Sequence, residues 1–314
     1  MNNFSEKTYT ICDFSIKAQL YNKCVEEYFH YRFFGFFNEL VAQNNIDLYI
    51  RETFTTEEFN EILKAPPDFD DSTYDTNDFN VNMINYKNYI VYNKKTRVLT
   101  VCVQEKEQLI EKIIGIKLVS TVLSLLLKKQ ILCIHGSCIK KGDKGILLLG
   151  NSGSGKTSLT LNFIRNGATI TNDDATFIKY GNKFTAIKNS QMIGITDDGI
   201  KDHFAYLSQN IDFIDENKKH RIDLNRHNKE CFAEHIEIDK IIWISSDRGN
   251  IPSLSELKKT TMIKNICTNI SANKYLYYDI YLQMISELVF KCDNYILYPS
   301  NNLSQTFQCL DKEI

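Results

Sequence analysis

The chain is short of several things, and each shortage removes a class of explanation. Only 4 of its 314 residues are proline and 13 are glycine, which argues against long disordered linkers. No charge of one sign dominates. Lysine and arginine total 37, aspartate and glutamate 39, and the formal net charge is -2. That balance gives no global attraction to nucleic acid or to an anionic membrane. No long hydrophobic run is present either. The most apolar stretch, IIGIKLVSTVLSLLL (113–127), is interrupted by Lys117 and falls short of the roughly 20 apolar residues a membrane helix needs. The first ten residues, MNNFSEKTYT, contain no basic segment followed by an apolar one, so no signal peptide is expected. The nine cysteines form no CxxC pair and are odd in number. Buried, reduced thiols in a cytoplasmic protein fit that pattern better than a zinc site or a disulfide framework.

What is present begins with 43% hydrophobic residues, enough for a substantial core. Residues 1–104 read as a smaller N-terminal α+β domain. DLYIRETF (47–54) and NYIVYNKKTRVLTVCVQ (88–104) look like strands, the second turning at Asn93–Thr96. KCVEEYFHYRFFGFFNELV (23–41) fits either helix or strand. APPDFDDSTYDTNDFN (65–80) reads as an acidic loop. Residues 105–130 read as one connecting helix between domains. From 131 to 314 the texture becomes α/β. ILCIHGSCIK and GILLLG are strands joined by the turn KGDKG; helix SLTLNFIRN, strand ATIT and strand ATFIKY follow. Residues 236–246 and 294–299 read as further strands, and 274–290 as a helix.

One motif in this second region is complete. Gly150-Asn151-Ser152-Gly153-Ser154-Gly155-Lys156-Thr157 fits GxxxxGK[ST], with an apolar strand before it and an amphipathic helix, opening with Ser158, after it. Glycines let successive backbone N–H groups wrap an anion, and the helix N-terminus adds positive potential. Lys156 is placed to reach the β- and γ-phosphates, and the Thr157 hydroxyl to ligate Mg²⁺. The motif alone says only that a nucleoside triphosphate binds.

Asp173 and Asp174 follow Lys156 by 17 and 18 residues. One helix and a turn fill most of that gap, so ATIT is expected to run back beside GILLLG and deliver both carboxylates near the metal. Adjacent residues of an extended segment face opposite sides, so the two should do different work. One suits magnesium; the other suits the proton of an acceptor hydroxyl. A solvated Asn-Asp-Asp turn is the bland alternative. If KGDKG closes a hairpin near Asp143, His135 and Gly136 fall opposite Gly150. There His135 could bond a phosphate, orient an acidic group, or simply pack at a strand end.

Taken together, ILCIHGSCI, GILLLGNSGSGKTSL and RNGATITNDDATFI resemble the core of the HPr kinase/phosphorylase family and its stand-alone relatives, which share a nucleotide fold with phosphoenolpyruvate carboxykinases. The resemblance implies a P-loop-containing mixed β-sheet core. It also implies a matching histidine at His135, Asp173 as the base toward a serine hydroxyl, and Asp174 as the carboxylate that helps hold magnesium. A weaker likeness runs through KKHRIDL (218–224), where Arg221 is a candidate phosphate contact, and DKIIWISSDRG (239–249). After the Asp pair the chain reads NSQMIGITDDG instead of the family's glycine-rich signature, so HPr is not the implied acceptor. Stand-alone relatives include kinases of ribosomally made peptides. The expectation is therefore a kinase using ATP and Mg²⁺, acting on serine in a peptide or protein. It is expected to have no nucleic-acid or membrane partner, and homo-oligomers stay open. A small-molecule kinase and a non-catalytic nucleotide sensor are the alternatives.

Overall fold

The computed structural model describes residues 5–33, 36, 46–53, 73–75, 77–85, 87–104, 107–189, 192–214, 218–226, 229–268 and 277–313. The chain divides into two compact units, Met1–Lys129 and Gln130–Ile314.

Among the described residues the first unit holds seven strands: β1 (Ser5–Ile11), β2 (Phe14–Leu20), β3 (Leu48–Thr53), β4 (Thr73–Asp75), β5 (Phe79–Asn85), β6 (Asn88–Asn93) and β7 (Val98–Val103). They form one sheet in the order β1-β2-β3-β7-β6-β5-β4. The β2–β3 and β3–β7 pairs are parallel and the others antiparallel. The hairpin at Asn93 forms as expected: its Oδ1 accepts from the backbone N–H of Lys95 and of Thr96, each at 3.0 Å. The ambiguous stretch beginning at Lys23 is helix α1 (Lys23–Phe33). Val25, Phe29 and Phe33 are its buried residues, and a spacing of four puts all three on one helical face. Most of that stretch beyond Phe33, and most of the acidic loop at 65–80, lie outside the described residues.

Helix α2 (Gln108–Leu127) corrects the reading of 105–130 as a connector. It belongs to the first unit, packing on α1 and on β5, β6 and β7. Ile114, Leu118 and Val122 recur at four-residue spacing and are fully buried. Burial of that face, rather than a bridging role, explains the run of leucines.

Among the described residues the second unit has thirteen strands. They are β8 (Ile131–Ile134), β9 (Gly136–Lys141), β10 (Lys144–Gly150), β11 (Thr169–Asn172), β12 (Thr176–Tyr180), β13 (Phe184–Ile187), β14 (Met192–Ile195), β15 (Phe213–Ile214), β16 (His220–Asp223), β17 (His235–Glu237), β18 (Lys240–Ile244), β19 (Ser253–Glu256) and β20 (Asp293–Tyr298). Its helices are α3 (Lys156–Arg165), α4 (Asp197–His203), α5 (Lys259–Thr268), α6 (Tyr278–Lys291) and α7 (Leu303–Glu313). Three sheets result: β11-β9-β10-β18-β20-β19, β17-β13-β12-β8 and β14-β16-β15. Within the first of these, β10, β18 and β20 are parallel, so their carboxyl ends share one edge. Ile139, Ile146, Leu148, Leu159, Phe163 and Ile170 are among the side chains that fill the core between that sheet and α3. The nine cysteines are free, and Cys102, Cys133, Cys138, Cys231 and Cys292 are buried.

Two register details matter for function. The KGDKG turn pairs Gly136 with Leu149, one residue from the expected register. ATIT, however, does not lie beside GILLLG. It is β11, and its neighbour is β9. β10 is flanked by β9 through the tight hairpin and by β18 in parallel, so neither edge is left for a third strand.

Candidate functional site

Two chain segments cross between sheets at the same place. The first leaves the four-stranded sheet with β8 and enters the six-stranded sheet with β9; His135 is the single residue between them. The second makes the reverse passage from β11 to β12, with Asp173 and Asp174 in the gap. The segments run antiparallel throughout. Asn172 pairs with Cys138 and Thr176 with Ile134, and the same register sets Asp173 across from Ser137 and Asp174 across from Gly136. His135 and the two aspartates are thus brought together by pairing in both sheets.

At Asp174 the backbone turns into the left-handed region, with φ of 69°. That conformation is uncommon for a residue with a side chain and persists where neighbours fix it. Here the Asp174 carbonyl oxygen accepts from His135 Nδ1 at 2.7 Å and from the Gly136 N–H at 3.2 Å. The turn sends the two carboxylates to different partners. Asp173 Oδ1 accepts from the Ser137 hydroxyl at 2.5 Å, and Oδ2 from the Thr157 hydroxyl at 3.0 Å. Asp174 Oδ2 meets Arg221 Nη1 at 2.8 Å, and Oδ1 meets Lys219 Nζ at 3.2 Å.

Those partners divide the electrostatics. Burial, followed by the Asp174 charge, pushes the Asp173 carboxyl above the usual range. Burial also pushes Asp174 upward, but Lys219 and Arg221 outweigh it and bring that carboxyl down to about 2. His135 is held below the ordinary imidazole value by burial and then by the Lys156 charge, with the Asp174 charge opposing.

The phosphate-loop motif lies alongside. Gly155, at φ 100°, caps the N-terminus of α3 in a conformation open to glycine and strained for other residues. Lys156 is buried, and its amine donates to the carbonyls of Gly150 (2.7 Å) and Asn151 (3.0 Å). The loop, the aspartate turn and α4 enclose a cleft of 420 Å³. Ser152, Gly153, Gly155, Lys156, Thr157 and Ser158 line one part of it, and His135 and Asp174 another. Thr196, Asp198, Gly199, Asp202 and His203 from α4 and its cap form the facing wall. Gly150, Asn151, Ser154 and Asp173 do not line the cleft; Gly150, Ser154 and Asp173 are buried, and Asn151 is exposed.

Several placements differ from the expectations. Asp173, expected to meet an acceptor, is 6% exposed, with both oxygens held by hydroxyls; Asp174 is the member at the cleft. Arg221, expected to touch phosphate, is buried behind Asp174 and does not line the cleft. The cations that do line it, besides Lys156, are Lys219 and Arg248. Arg248 Nη2 stands 3.9 Å from the position a Cβ on Gly155 would take, and its Nη1 donates to the Ser300 carbonyl at 3.4 Å. Sequence reasoning missed Ser137, Lys219 and Arg248. A signal existed for Arg248: it follows β18 as the phosphate loop follows β10, and ligands gather at the carboxyl edge of parallel strands.

No family model and no curated protein matches the chain. Among solved structures, the Hpr(Ser) kinase/phosphatase from Coxiella burnetii is similar over 58% of this chain and 95% of that chain, at 13% identity and a TM-score of 0.33. At that level of likeness the residues of the cleft must carry the functional reading by themselves.

The residues also bear on a metal. Among the described residues no three His, Cys, Asp or Glu side chains converge to hold one. Thr157 Oγ1 and Asp173 Oδ2, 3.0 Å apart, offer two oxygens. Magnesium is commonly held by one or two protein oxygens, with phosphates and water completing its shell, and this pair fits that habit. No helix among the described residues is long and apolar enough to cross a membrane.

Proposed function

We propose that the second unit is a kinase that transfers the γ-phosphate of ATP to a hydroxyl, with serine of a peptide or protein as the acceptor. The observation that carries this reading is the hydrogen bond between Thr157 and Asp173 at the floor of a cleft lined by Lys156, Lys219 and Arg248. A simple anion-binding turn has no use for a buried carboxylate held against its threonine hydroxyl. The cleft volume lies in the range of small-molecule sites.

In this reading the loop amides and the α3 N-terminus cradle the phosphates, and Lys156 leaves the loop carbonyls to meet the β- and γ-phosphates. Thr157 and Asp173 would hold Mg²⁺, and Asp174 lines the cleft beside them. Bound there, the metal neutralises charge on the phosphate oxygens. Arg248, with no carboxylate partner among the described residues, supplies a further cation at the transferring group. The serine acceptor and a ribosomally made peptide rest on the sequence resemblance. Acceptor selection is assigned to the first unit.

The test is transfer of labelled phosphate from ATP with Mg²⁺ to a random peptide library with a fixed central serine, and to lysate from the protein's own source. Lys156→Ala should abolish ATP binding and transfer together. Asp173→Asn should keep ATP binding and lower transfer about 100-fold or more. Undiminished transfer by both variants would sink the assignment.

A further inference from the structure

We propose that Ser137 is a positioning residue that fixes the Asp173 carboxylate from behind and keeps its Oδ2 turned toward Thr157. This rests on the kinase reading above and names a part of its machinery that no motif marks. Side chains alternate along a strand, so Ser137 on β9 shares a face with Ile139, two residues on. Ile139 belongs to the apolar core under α3, and so does Leu148, which lies directly across from Ser137 on β10. Ser137 itself is fully buried. A hydroxyl in such a stripe costs stability unless it is bonded. Its Oγ donates to Asp173 Oδ1 at 2.5 Å, and among the described residues that is its one side-chain hydrogen bond.

An aspartate in this place needs such a hold. The bond from Cβ to the carboxyl turns over a broad range, so a carboxylate held at one oxygen can still swing the other. Here the two oxygens are held from different elements. Oδ1 is held by Ser137 on β9, and Oδ2 by Thr157 at the head of α3. The two holds differ in kind. Thr157 belongs to the phosphate loop and lines the cleft. Ser137 does not line it, and its strand is paired with β10 on one side and β11 on the other. The serine hold therefore stays in place when a ligand draws on the Thr157 oxygen.

The same hold serves either job open to Asp173, keeping a metal or meeting the proton of an acceptor hydroxyl. Each needs Oδ2 at a fixed place, and a side chain is fixed by the groups behind it. Removal of a partner of this outer kind typically changes metal affinity or activity by about 10–100-fold.

Ser137→Ala removes the donor and leaves the backbone ladder. Asp173→Ala removes the group through which the serine acts, and the double variant closes the cycle. Two quantities are read in each protein. One is single-turnover transfer of labelled phosphate to the serine library at saturating Mg·ATP. The other is the magnesium concentration that half-saturates ATP binding, followed through Trp243, which pairs with Leu149 beside the loop. In Ser137→Ala one or both should worsen by about tenfold or more, while ATP affinity at saturating magnesium stays within about threefold of wild type. In the Asp173→Ala background the same serine change should add no more than about twofold, whereas a packing defect would act in either background. A fall in transfer alone gives Asp173 to the acceptor, and a raised magnesium requirement gives it to the metal; both uphold the role of Ser137. Both quantities within about threefold of wild type overturn it, as does an equal loss in the Asp173→Ala background. If Ser137→Ala does not stay folded, Ser137→Cys, which replaces a strong donor with a weak one, decides by the same limits. Wild-type protein that binds Mg·ATP yet labels neither library nor lysate overturns the kinase reading, and the magnesium readout then judges Ser137 by itself.

Discussion

Gly194 does work that no sequence motif announces. It lies across from Arg221 in the β14–β16 ladder, and a Cβ built on it would stand 2.4 Å from Arg221 Nη1. The guanidinium is bonded to Asp174, so it cannot yield without giving up that ion pair. Gly194→Ala should therefore push Arg221 off Asp174. The strain should cost about 1–3 kcal/mol, read as a lower midpoint in denaturant, and transfer should fall with it. An unchanged midpoint together with unchanged transfer would show that the space is not needed. This position also marks the limit of what the sequence told at this scale. Gly150 to Thr157 was legible because the motif is contiguous and its chemistry is local. The aspartate pair was legible as a pair but not in its division of labour, because the left-handed turn at Asp174 replaced the extended geometry assumed for it. Ser137 and Gly194 act through whatever lies across a ladder, and that partner is not written in their own neighbourhood.

Between elements, strand order decided more than strand identity. The hairpin from β9 to β10 was readable because a tight turn fixes its own register. The position of β11 was not, since its place depends on β18 occupying the far edge of β10 from about 90 residues away. Had β11 lain beside β10, Asp173 would not face Ser137. In the first unit a similar pairing of elements carries a pH dependence. Tyr9 on β1 and His30 on α1 are joined by a 3.1 Å hydrogen bond through His30 Nδ1. Burial, then the Lys7 charge, lowers the His30 pKa below its ordinary 6.5. The folded protein thus binds the proton less readily than the unfolded chain. Its contribution to stability is present above pH 6.5 and is lost as pH falls through the lowered folded value. The melting temperature of the first unit should drop on acidification from pH 7.5 to 5.5. His30→Gln should flatten that slope, whatever it does to stability at pH 7.5. A slope identical in the variant would remove His30 from the account.

At the scale of the whole chain, the two compact units make stability a two-part quantity. The single tryptophan, Trp243, sits on β18 in the second unit, so its fluorescence reports that unit alone. Far-ultraviolet circular dichroism reports both. Each unit has its own sheet and its own buried helices, which is the condition for independent cooperative unfolding. Heating should therefore give two steps by dichroism and one by fluorescence, the latter coinciding with one of the two. Ligand then discriminates between them. A nucleotide bound only by the folded second unit stabilises it by RT ln(1 + [L]/Kd), about 2.7 kcal/mol at a hundredfold excess over Kd. For a domain of this size that amounts to roughly 5–10 °C. Mg·ATP should raise the fluorescence transition by that order and leave the other step in place, and Lys156→Ala should cancel the shift. A single transition that moves as one would mean that the units unfold together. A fluorescence transition indifferent to Mg·ATP would mean that the loop, the aspartate turn and the cleft they line do not bind nucleotide.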